Sequence, residues 1–122
     1  MKTEVITPTE WSSFLDAFSR QHQAWLVNLE EIPNPASRPF LEASGLALQG
    51  ISTDADRQAI SIMLGEAPGR HLTHTVERPS RVTVERTDQG IECAVRIEDK
   101  DGRATRVSFR SAVRPDEVDG FP

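Results

Sequence analysis

The sequence predicts an α+β protein that is mainly β: one N-terminal helix packed on a strongly curved antiparallel sheet, or small barrel, of about seven strands in a meander. Three observations carry this. Ile6–Phe18 combines a start signal with apolar residues at helical spacing. From residue 24 to about 111, apolar residues alternate with polar ones in short runs. Turn residues rather than further helices separate those runs, which favours antiparallel pairing.

In the helix, Thr7 is a good N-cap and Pro8 falls at the first helical position, where its missing N–H costs nothing. Glu10 stands at the capping-box spacing, and Ile6 with Trp11 can form a hydrophobic staple. Trp11, Phe14, Leu15 and Phe18 make one stripe at i, i+3, i+4, i+7. The helix is expected over about 8–21, fading near His22, as the lid of the β core, with Trp11 either buried in that core or part of an exposed binding stripe.

The first strand, Ala24–Glu30, places Trp25, Val27 and Leu29 on one face. Glu30 and Glu31 read as its solvated end. The two tryptophans of adjacent elements suggest one aromatic cluster. Pro33, Pro35 and Pro39 make a loop, because proline cannot donate ladder hydrogen bonds. The second strand lies within Phe40–Ile51, with Gly45 and Gly50 as bulge candidates. The third, Gln58–Leu64, is apolar or small on both faces, as in a central strand.

The last third reads as a meander in which each strand pairs with the next. His71–Arg78 puts Leu72, His74 and Val76 on one face, and Pro79-Ser80 turns the chain. Arg81–Arg86 faces Val82 and Val84 inward. Ile91–Glu98 does the same with Ile91, Cys93, Val95 and Ile97. Asp99-Lys100-Asp101-Gly102 is a strong hairpin signal before Arg103–Arg110. The outward residues alternate in charge sign, so cross-strand ion pairs are expected. One domain is expected over 1–122, with the helix at about 8–21, a β region at about 24–111 and an irregular tail at 112–122.

Function is far less legible. The net charge of −5 speaks against duplex nucleic acid. Residues 1–56 hold 3 basic and 8 acidic residues, whereas 57–122 hold 11 of each. Arg81, Arg86, Arg96, Arg103, Arg106 and Arg110 could line one sheet face. A single-strand binder would interleave aromatics there, and the chain has no Tyr. No apolar run suits a signal peptide or a membrane span, so the cytoplasm is the expected compartment. The one cysteine excludes an internal disulfide.

No catalytic, cofactor or metal set emerges. His71 and His74, three apart on a strand, point to opposite faces, and no third ligand stands near them in sequence. Cys93, between apolar neighbours, reads as inert packing. The residues expected to meet a partner or line a pocket are Trp11, His22 and Trp25 near the helix, His71 and His74, and Arg106 and Arg110.

Several blocks resemble a small uncharacterised bacterial family, a domain of unknown function of about this length. They are Glu10-Trp11 with Phe14 and Phe18-Ser19; His22, Trp25 and Val27; Leu48-x-Gly50-Ile51-Ser52; Ile60-Ser61-Ile62; His71-x-x-His74-Thr75-Val76; and Phe109-Arg110-Ser111. The resemblance implies a bacterial protein with no assigned activity, cofactor or catalytic residue. The leading expectation is a non-enzymatic β-rich module that works as a homodimer or with a protein partner. A nucleic-acid-binding barrel and a small-ligand barrel with a pocket near the helix are the alternatives.

Overall fold

A computed structural model describes residues 1–56, 58–66 and 69–110. The expected tail at 112–122, together with Arg57, Ala67, Pro68 and Ser111, lies outside the described residues.

The class is as expected. The elements are β1 (Lys2–Ile6), a short 3-10 turn (Pro8–Glu10), α1 (Trp11–Gln21), β2 (Leu26–Ile32), β3 (Phe40–Asp54), β4 (Ala59–Glu66), β5 (Arg70–Glu77), β6 (Pro79–Arg86), β7 (Glu92–Asp99) and β8 (Ala104–Phe109). Eight strands form one curled, unclosed antiparallel sheet in the order β1-β6-β7-β8-β2-β3-β4-β5. It contains two meanders, β2–β5 and β6–β8, joined because β8 returns onto β2. β5 and β6 follow one another in the chain yet do not pair. Arg78, at φ 51°, reverses the path between them, so the turn expected at Pro79-Ser80 comes earlier.

β3 is the corner of the sheet. Its first half pairs with β2 as far as Ala47, and its second half pairs with β4 from Leu48 to Asp54. Three register shifts bend it. At one of them, Gly45 takes φ 66° and donates its N–H to Asn28 Oδ1 at 3.0 Å. A residue with a Cβ is strained in that region. The shift between Leu48 and Gly50 agrees with the other expected bulge.

Beyond Ala47, among the described residues, the β2-facing edge of β3 has no strand beside it, and the chain around α1 takes over. Ala24 N–H donates to the Leu48 carbonyl, and Leu48 N–H donates to the Trp25 carbonyl, both at 2.8 Å. The Ile51 N–H donates to Ser19 Oγ at 2.8 Å, and that hydroxyl lies 2.7 Å from the Leu15 carbonyl. Leu15 and Phe18 are fully buried against the inward rows Val27/Leu29, Ile60/Ile62/Leu64, Val82/Val84, Val95/Ile97 and Val107. The helix is thus a wall of the core.

Several local expectations need correction. The cap at Thr7 makes no side-chain hydrogen bond; Glu10 N–H bonds the Thr7 carbonyl at 2.8 Å instead, and Pro8–Glu10 tightens into the 3-10 turn. Trp11 is half-buried rather than enclosed, with its indole N–H on the Ile6 carbonyl at 3.0 Å. Trp25 lies outside the core, 43% exposed, because Ala24 at φ 73° turns the chain before β2 begins at Leu26. The ring cluster is accordingly Phe14, Phe18, His22, Trp25 and Phe109, reached from α1 and the end of β8, and Trp11 packs elsewhere on the core. Lastly, Ile91 precedes β7 and is 46% exposed, and a register shift beside Cys93 leaves that thiol half-buried on the Glu85 carbonyl.

Removing the Phe18 ring leaves a void that its neighbours on α1 and β8 fill only in part. Phe18→Ala is expected to lower unfolding free energy in urea by about 3–5 kcal/mol. A loss below about 1 kcal/mol, the scale of a surface substitution, would show that α1 is not part of the core.

Candidate functional site

The outward face of β2, β6, β7 and β8 carries a charge network. Register sets Arg106 opposite Arg96 on β7, a repulsive pairing, and opposite Glu30 on β2, a complementary one. Arg106 keeps Glu30 and reaches past Arg96 to Glu85 of β6. Its Nε and Nη2 donate to the two Glu85 oxygens at 3.0 and 2.9 Å, and Nη1 donates to Glu30 Oε1 at 2.9 Å. This two-pronged grip on Glu85 and the second contact to Glu30 hold the guanidinium charged well above its ordinary value. Along β7 Arg96 reaches Glu98 at 3.4 Å, and across the β1–β6 pair, on the face of Ile6, Arg86 reaches Glu4 at 2.7 Å. The expected cross-strand pairing of charges is thus present.

His22 closes α1 and is buried. Its Nδ1 donates to the Phe18 carbonyl at 2.8 Å, and its ring stands 4.5 Å from Phe18, 4.5 Å from Phe109 and 4.8 Å from Trp25. Its place is in the packing of the helix end.

A different histidine stands among acids at one end of the curl. His74 shares the inward face of β5 with Leu72 and Val76, as its alternation predicts, while His71 faces out and is exposed. His74 Nε2 lies 2.7 Å from Glu31 Oε2, and Nδ1 lies 3.4 Å from Glu42 Oε2. Thr105 Oγ1 is 3.3 Å from His74 Nε2 and donates to Glu31 at 3.3 Å. Burial raises the Glu31 carboxyl above its usual range; the His74 charge works against that, and a hydrogen bond with Glu42 adds to it. One ligand atom each from Glu31, Glu42 and His74 fall within 4.8 Å of one another.

Each member has a local reason for its place. Glu31 continues the inward row Val27, Leu29 of β2, opposite Thr105 of β8. The reading of Glu30 and Glu31 as a solvated strand end is therefore corrected: one holds Arg106, the other His74. Extending the alternation by one step would have found Glu31. Glu42 is different. It is the extra residue where β3 shifts register, between Ala43 opposite Leu29 and Leu41 opposite Glu30, so no periodic pattern marks it.

Beside this cluster opens a polar cleft of about 330 Å³, with Arg78, Asp99 and Asp101 on its far wall. A second, more apolar cleft of about 510 Å³ lies at the start of α1, between Trp11, the β3–β4 turn and Pro79. Of the residues expected at a pocket, Trp11 lines this second cleft and His74 the first. Trp25 and His22 join the ring cluster. Arg106 sits in the outer network, and Arg110 follows β8 with its N–H on the Leu26 carbonyl at 3.1 Å. Burial and the Glu85 carboxylate push the Cys93 thiol up, away from the thiolate a nucleophile needs.

The model of a family of unknown function, DUF5335, matches residues 2–118. The chain belongs to that family. No curated protein and no solved structure matches it. Among the described residues of this DUF5335 member, no helix is long and apolar enough to cross a membrane.

In this DUF5335 chain, truncating Arg106 strands two partly buried carboxylates. Arg106→Ala is expected to cost about 2–3 kcal/mol in urea denaturation. Arg81→Ala, a change on the exposed sheet surface, should stay within about 0.5 kcal/mol.

Proposed function

We propose that the chain is a non-enzymatic bacterial module that acts by pairing with a second copy of itself through β1. The observation that carries this is the strand's open edge. Among the described residues the sheet does not close, and β1 ends it with only β6 beside it. An open edge offers unpaired backbone groups to another chain.

The side chains of β1 support a self-pairing register. Two copies laid antiparallel about Thr3 set Lys2 opposite Glu4 and Met1 opposite Val5. The first pair is complementary in charge. The second joins two apolar side chains that are 72% and 58% exposed in the single chain. A two-fold contact of this kind repeats each pair, so both ends gain equally. A cytoplasmic setting belongs to the same reading, and a lone cysteine with no disulfide to keep oxidised suits it.

The nucleic-acid alternative has weaker support, because Arg86, Arg96 and Arg106 already hold carboxylates. The small-ligand alternative draws on the cleft at the start of α1.

Size-exclusion chromatography with light scattering tests the dimer. The expected result is a mass that rises toward two chains with concentration, and a return to one chain in Val5→Lys and in Lys2→Glu. A clean monomer at high concentration would remove the reading, as would a dimer that both variants leave intact.

A further inference from the structure

We propose that Glu31, Glu42 and His74 form a binding site for a divalent first-row transition metal at the open end of the curl.

The donors come from three strands, β2, β3 and β5, and a fourth strand supplies the hydroxyl that braces them. They are not a run of surface acids. Glu31 occupies an inward position in the same row as two fully buried side chains, Val27 and Leu29. Its carboxylate is held by Thr105, itself buried. Glu42 is brought to the same point by the register shift of β3, and such shifts commonly re-aim a side chain at a site. The result is two carboxylates and one imidazole whose ligand atoms lie within 4.8 Å of one another. Four-coordinate zinc with bonds of about 2.0–2.2 Å needs its ligands a little closer, a shift that side-chain torsions supply.

The chemistry of the set selects the class of ion. Imidazole nitrogen suits zinc and its transition-metal neighbours, whereas magnesium and calcium prefer oxygen alone. Three protein ligands leave a further position for water or a small ligand, and the neighbouring polar cleft opens toward it. The arrangement also explains why two like-charged carboxylates, Glu31 half-buried and Glu42 exposed, converge on one histidine. A cation between them relieves the repulsion that His74 only partly offsets. Thr105, bonded to Glu31, would hold that ligand in orientation, as outer-shell partners do.

The probes are Zn²⁺ by isothermal titration calorimetry and Co²⁺ by visible absorption, at neutral pH in a non-chelating buffer. One ion per chain is expected, with Co²⁺ giving the ligand-field bands of a low-coordinate site. His74→Ala and Glu31→Gln should each weaken Zn²⁺ binding on the order of 100-fold, and Glu42→Gln at least about tenfold. His71→Ala, on the opposite face of the same strand, should bind as the unaltered chain does. Circular dichroism accompanies each variant. Glu42 is the most exposed of the three ligands, so Glu42→Gln keeps the test decisive if a more buried change unfolds the protein. Absence of Zn²⁺ heat and Co²⁺ bands in the folded, unaltered chain would make the cluster an ion pair only and overturn the site. So would unchanged affinity in Glu42→Gln and His74→Ala. Equal affinity for Mg²⁺ would overturn the assignment to a transition metal.

Discussion

The fold depends on how the second half of β3 is satisfied. A strand of this length must bond its backbone on both sides or leave groups unpaired in the core. β2 serves only the first half, ending at the Leu26–Ala47 pair. Past that point the backbone of Ala24 and Trp25 bonds Leu48, and the Ser19 hydroxyl takes the Ile51 N–H. A helix therefore stands where a strand would otherwise be. Because it stands there, Leu15 and Phe18 reach the core between the two halves of the sheet. The sheet can turn over at β3 without exposing an apolar gap.

The position of the His74 cluster follows from the same turn. Folding β4 and β5 over β2 and β8 brings the inward face of β5 against β8. Leu72 and Val76 meet apolar partners there. His74 meets Thr105 and Glu31, polar residues at the end of otherwise apolar rows. The outward face has no such constraint, and it solves its charge problem with Arg106 held between Glu30, its direct partner on β2, and Glu85, reached across β7. One alternating strand, β2, thus feeds two different polar centres from adjacent residues.

Much of the scaffold was legible because it obeys local rules. Pro8 and the Leu15/Phe18 stripe mark the helix, and Asp99 braces the β7–β8 turn by accepting from Asp101 and Arg103 N–H groups at 2.8 and 3.0 Å. Period two placed the core rows of β2, β4, β6 and β8. What escaped were features with no period. β1 turns only one apolar residue, Ile6, into the core, so Lys2–Val5 looks like a polar lead-in. The reversal at Arg78 depends on one residue's φ. Glu42 reaches the site through a register shift, and Trp25 leaves the core through the backbone twist at Ala24. Of the site, His74's inward face was readable and Glu31 was one alternation step away. Glu42 was beyond reach, because a bulge changes facing without changing composition.

The account stands on α1 sealing β3, and native-state hydrogen exchange reads that contact directly. The Ile51 amide, which donates to Ser19 rather than to a neighbouring strand, should exchange as slowly as the amides of the core rows, opening only with the fold as a whole. In Ser19→Ala it should exchange markedly faster while those rows stay protected. Exchange of the Ile51 amide at the rate of an exposed loop amide in the unaltered protein would contradict the account.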